Sequence, residues 1–170
     1  MYLIFDCFFY NNFDLVSIFK WLIDNYLQVI ATISGIGYVL LAAKQNIWCW
    51  FLGLINVILL VVVYYSSQLY ASVVLQFLYL IITVYGWYKW YKGSEDGQQL
   101  PVTKLNKKHY YTLSAIFVVC VGVSYYILKD MTDDPLPFWD SITSVGGIIC
   151  TYLAARKILE NWLIWIFIDA

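Results

Sequence analysis

Charged side chains are scarce in this sequence, 12% of 170 residues, where soluble domains carry roughly a quarter. With 62% hydrophobic residues and a mean hydropathy of +0.71, that shortage argues against a water-soluble bundle and for lipid as the solvent. The net charge of −1 provides no broad basic face, which excludes nucleic acid as a partner. The single histidine, His109, follows two lysines and suits a solvated boundary position. Cys7, Cys49, Cys120 and Cys150 stand 42, 71 and 30 residues apart, which is not metal-site spacing. The three inside apolar runs read as small hydrophobes. No nucleophile–base pair, HExxH helix or phosphate-cradling glycine loop is present, so no enzyme, cofactor or metal is expected. The start, MYLIFDCFFY, lacks a basic region and carries Asp6, so no cleavable leader is expected.

What is abundant is apolar sequence of membrane-spanning length. From Trp48 to Trp90 there is no acidic side chain and no base before Lys89. Ser66-Ser67-Gln68 divides the stretch into two runs of about 20 residues, each long enough at about 1.5 Å per residue to cross a ~30 Å hydrocarbon core. Trp48 and Trp50, Tyr64 and Tyr65, and Trp87, Tyr88, Trp90 and Tyr91 crowd the ends, and we read them as interfacial belts. The stretch is expected to be a transmembrane helical hairpin.

In chain order, residues 1–25 mix aromatic residues with Asp14, Lys20 and Asp24 and are expected to lie in the interface. Residues 26–92 form a first three-helix bundle, with spans near Tyr26–Ala43, Ile47–Tyr65 and Leu69–Tyr88. A polar linker, 93–109, leads to a linking transmembrane helix, 110–129. Residues 138–170 hold a span near Phe138–Ala155 and a sixth apolar run of about 12 residues, too short to cross. The second bundle is therefore expected to be incomplete.

Charge placement supports this map. If the spans alternate, Lys44, Lys89, Lys92, Lys104, Lys107, Lys108, Arg156 and Lys157 share one side, and Lys20 and Lys129 the other. The positive-inside rule makes the linker 93–109 cytoplasmic. A shift of 112 residues aligns the chain with itself: Gly35-Ile36 on Gly147-Ile148, Leu41-Ala42-Ala43-Lys44 on Leu153-Ala154-Ala155-Arg156, and Trp50 on Trp162. One helix separates the copies, so both enter the membrane from the same side, as a parallel repeat.

Polar groups inside spans are costly and need a partner or a task. Thr32, Gly35, Thr143, Gly147 and Thr151 suit close helix packing with hydrogen bonds across helices. Gln76 and Tyr79 share a face of the third span, Asp140 and Thr143 a face of the fifth, and Asn56 stands alone in the second. Trp162, Trp165 and Asp169 fall within roughly a 60° arc of the sixth. Tryptophans beside an amide and a carboxylate suit an aromatic ring that bears hydroxyls or positive charge. The candidate binding residues are Gln76, Tyr79, Asn56, Asp140, Thr143, Trp162, Trp165 and Asp169.

These residues also carry a resemblance. Trp50-Phe51-Leu52-Gly53-Leu54-Ile55-Asn56, Leu75-Gln76-Phe77-Leu78-Tyr79, Tyr85-Gly86-Trp87-Tyr88-Lys89-Trp90 and Tyr152-Leu153-Ala154-Ala155-Arg156-Lys157 resemble the PnuC family of vitamin-precursor transporters. So does Glu160-Asn161-Trp162-Leu163-Ile164-Trp165-Ile166 with Asp169. The resemblance implies an all-α integral membrane protein with a SWEET-like parallel repeat of three-helix bundles, often a homotrimer, in the bacterial inner membrane. It implies uptake of nicotinamide riboside by facilitated diffusion, made one-way by a cytoplasmic riboside kinase. It places the ligand between the bundles, with Trp162, Trp165, Gln76 and Asp169 at motif positions. Thiamine or riboflavin is the alternative cargo, and a truncated, non-transporting membrane protein is the third reading.

Overall fold

The computed structural model describes residues 15–93, 100–132 and 135–169. Among the described residues seven helices follow in order: α1 Leu15–Asp24, α2 Tyr26–Ala43, α3 Trp48–Ser66, α4 Tyr70–Lys92, α5 Lys107–Met131, α6 Pro137–Ala155 and α7 Glu160–Asp169. The expectation for residues 1–14 lies outside the described residues. Among the described residues, α2, α3, α4 and the 109–130 portion of α5 are long and apolar enough to cross a membrane. Their side chains project outward as they would into lipid: Ile33, Ile81 and Val119 are 65%, 66% and 64% exposed. A soluble protein does not expose apolar surface on that scale.

The fifth expected span, α6, has the length but not the apolarity of the other four. Proline occupies its first turn, where the missing N–H costs nothing. Its residues Ser141, Val145, Gly146, Gly147, Cys150, Thr151, Leu153 and Ala155 are buried, because α4, α5 and α7 all pack on it. A helix covered by protein has no need to be apolar all round, and small residues let its neighbours approach closely. On the other side of α4, α2, α3 and α4 pack in sequence. A methyl group on Gly53 of α3 would sit 3.0 Å from Tyr38 of α2 and 3.6 Å from Thr83 of α4.

Three tight turns close helices in one way. In the first, the Asn46 N–H bonds the Leu41 carbonyl at 2.9 Å and the Gln45 N–H bonds Ala42 at 3.0 Å. At the second, Leu69 bonds Tyr64 at 2.9 Å and Gln68 bonds Tyr65 at 3.1 Å. The third pairs Ile158 with Leu153 and Lys157 with Ala154, both at 3.0 Å. This paired closure is the Schellman motif, which needs a left-handed residue after the helix. Gln45, Gln68 and Lys157 supply it with φ of 55°, 59° and 53°. Gln45 and Lys157 are 112 positions apart, the offset found in the sequence.

The linker is tied down beyond its end. Thr103 and Ile158 form a parallel β-bridge: the Thr103 N–H donates to the Lys157 carbonyl and the Leu159 N–H to the Thr103 carbonyl, each at 3.0 Å. Glu160 Oε1 accepts from the Leu105 N–H at 3.0 Å and the Tyr110 hydroxyl at 3.2 Å.

Candidate functional site

The seam where α4 meets α6 and α7 gathers most of the aromatic and polar candidates. At its centre a methyl group on Gly147 would collide with the Tyr79 hydroxyl and lie 3.5 Å from Trp165 Cη2. Three helices thus meet at one glycine, which is the close approach that only a missing Cβ permits. Gln76, one turn before Tyr79, is buried, at 7% exposed. Asp169 is the last described residue of α7.

The linker end of the seam is closed by aromatic rings. Trp50 is 1% exposed and meets Tyr38 and Trp90 edge-to-face, with centroids 5.9 and 5.6 Å away. Trp162 packs against this cluster together with Ala42, Cys49 and Ala155. Trp90 donates its indole N–H to the Ala155 carbonyl at 3.2 Å, a bond from α4 to the end of α6. Tyr85 stacks on Tyr152 at 6.1 Å and 14°. The belt reading therefore fails for Trp50. Its ring fills the protein interior beside Gly86, whereas Trp90 is half-buried and Trp48 remains 60% exposed.

The other candidates fall elsewhere. Asn56 Nδ2 donates to the Ala31 carbonyl at 2.6 Å and would lie 3.1 Å from a Cβ at Gly35, so it joins α3 to α2. Asp140 and Thr143 are exposed side chains on a cavity of about 780 Å³ between α4, α5 and α6, lined also by Tyr70, Ser72 and Ser124. The threonines expected to bond across helices bond their own turns. Thr32 bonds Gln28 at 2.8 Å, Thr143 bonds Trp139 at 3.1 Å and Thr151 bonds Gly147 at 2.8 Å. This local back-bonding satisfies the hydroxyl without a neighbour.

Sequence reasoning missed Tyr38, Lys157 and Asn161. Lys157 and Asn161 are buried, 8% and 5% exposed, and Lys157 places Nζ 4.3 Å from the Trp90 ring centroid. The signal was the repeat: Lys157 stands where Gln45 stands, at a turn whose side chain points back toward the seam.

A sequence profile for the nicotinamide mononucleotide transporter family matches residues 25–170. The nicotinamide riboside transporter PnuC of Escherichia coli (strain K12) is similar, 29% identical over 170 residues, covering 85% of this chain and 71% of that protein. The riboflavin/roseoflavin transporter RibM of Streptomyces davaonensis is 24% identical over 147 residues, covering 84% and 68%. The crystal structure of the vitamin B3 transporter PnuC matches with a TM-score of 0.72 and 26% identity, covering 91% of this chain and 68% of that one. Matched over residues 25–170, and with four described helices long and apolar enough to cross a membrane, the chain belongs to the nicotinamide mononucleotide transporter family.

Proposed function

We propose that this chain carries nicotinamide riboside across a bacterial inner membrane by facilitated diffusion, along the seam between its first three-helix unit and the α6–α7 part of the second unit of a parallel, SWEET-like repeat. The observation that carries the reading is the meeting of Tyr79, Trp165 and Gly147, with buried Gln76 one turn away. Trp165 and Tyr79 present aromatic surface for a positively charged pyridinium ring. Gln76 supplies an amide for the carboxamide or ribose hydroxyls, and Asp169 a carboxylate at the end of α7. The similarity to PnuC favours the riboside over riboflavin, since RibM is the more distant match. The repeat is supported by the equal turns at Gln45 and Lys157.

In this reading Trp162 stabilises the closed end of the seam, and Asp140 and Thr143 line an approach from the opposite end. The lysine-rich linker is cytoplasmic, and a cytoplasmic riboside kinase makes net uptake one-way. The functional unit is a homotrimer.

The test is equilibrium binding of nicotinamide riboside, thiamine and riboflavin to the purified chain, with Trp165→Ala and Gln76→Leu alongside. Saturable riboside binding is expected, weakened at least tenfold in both variants, with no competition from thiamine or riboflavin. Riboside binding unchanged in both variants moves the site elsewhere, and tighter riboflavin binding changes the cargo.

A further inference from the structure

We infer that the cavity at the linker end of the seam binds a small inorganic anion of halide size, held between the two halves of the chain by the Lys157 ammonium and the Trp50 indole N–H. The cavity has a volume of about 50 Å³. One ion fits, since a water molecule's share of the liquid is about 30 Å³. Tyr38, Trp50 and Trp90 wall it from α2, α3 and α4, and Ala154, Lys157 and Asn161 from the α6–α7 side.

Among the described residues that line this space, the formal charge is that of Lys157 alone. Lys157, Trp50 and Asn161 are each more than nine-tenths buried, and no carboxylate is among the described residues that line it. The face of Trp90 attracts the Lys157 ammonium but brings no full counter-charge. Trp50 Nε1 is buried with no acceptor among the described residues. Buried donors without acceptors and a buried cation without an anion both cost free energy. Burial also pulls the Lys157 pKa down from its ordinary value, as expected of an ammonium withdrawn from water. One anion would accept from both groups and offset both costs. A cation or a donor-only ligand would do neither.

The turn that carries Lys157 accepts glycine, which makes the side chain removable without disturbing the backbone. Lys157 has φ of 53°, a conformation in which glycine is unstrained and a lysine is not. Because the walls come from both halves, a bound anion would brace this end of the seam in its closed arrangement, whatever the cargo.

The test is thermal unfolding of the full chain in detergent at constant ionic strength, with sodium gluconate replaced stepwise by chloride or bromide. The wild-type midpoint is expected to rise along a saturable curve with either halide. Lys157→Gly, which the turn accepts, should flatten the curve, and Lys157→Arg should keep it. A wild-type midpoint indifferent to halide, or an equal rise in wild type and Lys157→Gly, overturns the inference. The folded wild type gives an independent readout: crystals soaked in bromide should show an anomalous peak beside Lys157 Nζ and Trp50 Nε1, and no peak there overturns it as well.

Discussion

Single residues decide how closely these helices approach. A Cβ on Gly86 would land among Trp50 Cη2, Cζ2 and Cζ3 on a ring with nowhere to move, whereas one on Gly122 meets nothing within 4 Å. Gly86→Ala should therefore lower stability by about 1–3 kcal/mol through overpacking. Gly122→Ala should raise it by about 0.5–1 kcal/mol through helix propensity. Thermal unfolding of both variants in one detergent checks the contrast, and equal shifts would contradict this packing. Trp50→Ala should cost about 3–5 kcal/mol, as removal of a buried aromatic ring does elsewhere. Sequence made Trp50 look interfacial because it stands at a span's edge. The rings and glycines that enclose it, Tyr38, Gly86 and Trp90, come from other helices, and no local pattern reveals them. Asn56 misleads in the same way, since a lone amide in a span gives no sign that the Ala31 carbonyl is within reach.

At the scale of elements, the apolar runs were legible because lipid sets their length and polar breaks end them. Lys44-Gln45-Asn46 and Ser66-Ser67-Gln68 are both turns in the structure, closed by residues in the left-handed region. That conformation costs a residue with a Cβ about 1–2 kcal/mol and a glycine far less. Gln45→Gly and Gln68→Gly should each raise the unfolding midpoint, by the equivalent of about 1 kcal/mol. A lowered midpoint in both would mean that the glutamine side chains hold the turns through contacts of their own. The helix α6 was harder to read, because burial by α4, α5 and α7 replaces apolarity as its reason to be in the membrane. Its polar stripe pointed to one function, yet Thr143 and Thr151 bond their own helix while Gly147 makes the contact that matters.

Across the whole molecule, the charge asymmetry and the 112-residue offset lead to the proposed reading of two like-oriented halves with the candidate site in the seam between them. The cytoplasmic assignment of the linker makes a direct prediction. In intact cells an impermeant amine reagent should leave Lys104 unmodified, and permeabilisation should expose it; mass spectrometry of the linker peptide reads the outcome. Labelling of Lys104 in intact cells would reverse the direction of uptake. Trp90→Phe should remove the bond to the Ala155 carbonyl and loosen the closed end, at a cost of about 0.5–1.5 kcal/mol. The sequence could place the halves in order but not show that they are stitched together, since a two-residue bridge leaves no periodic trace. That stitch has a mechanical consequence. With Thr103 bonded on both sides to the turn before α7, and Leu105 bonded to Glu160, the long helix that follows is fastened at its start and is no slack leash. If α7 tilts in the proposed transport cycle, these bonds would pass the tilt within a few residues to the first turn of α5, which would then act as a lever arm.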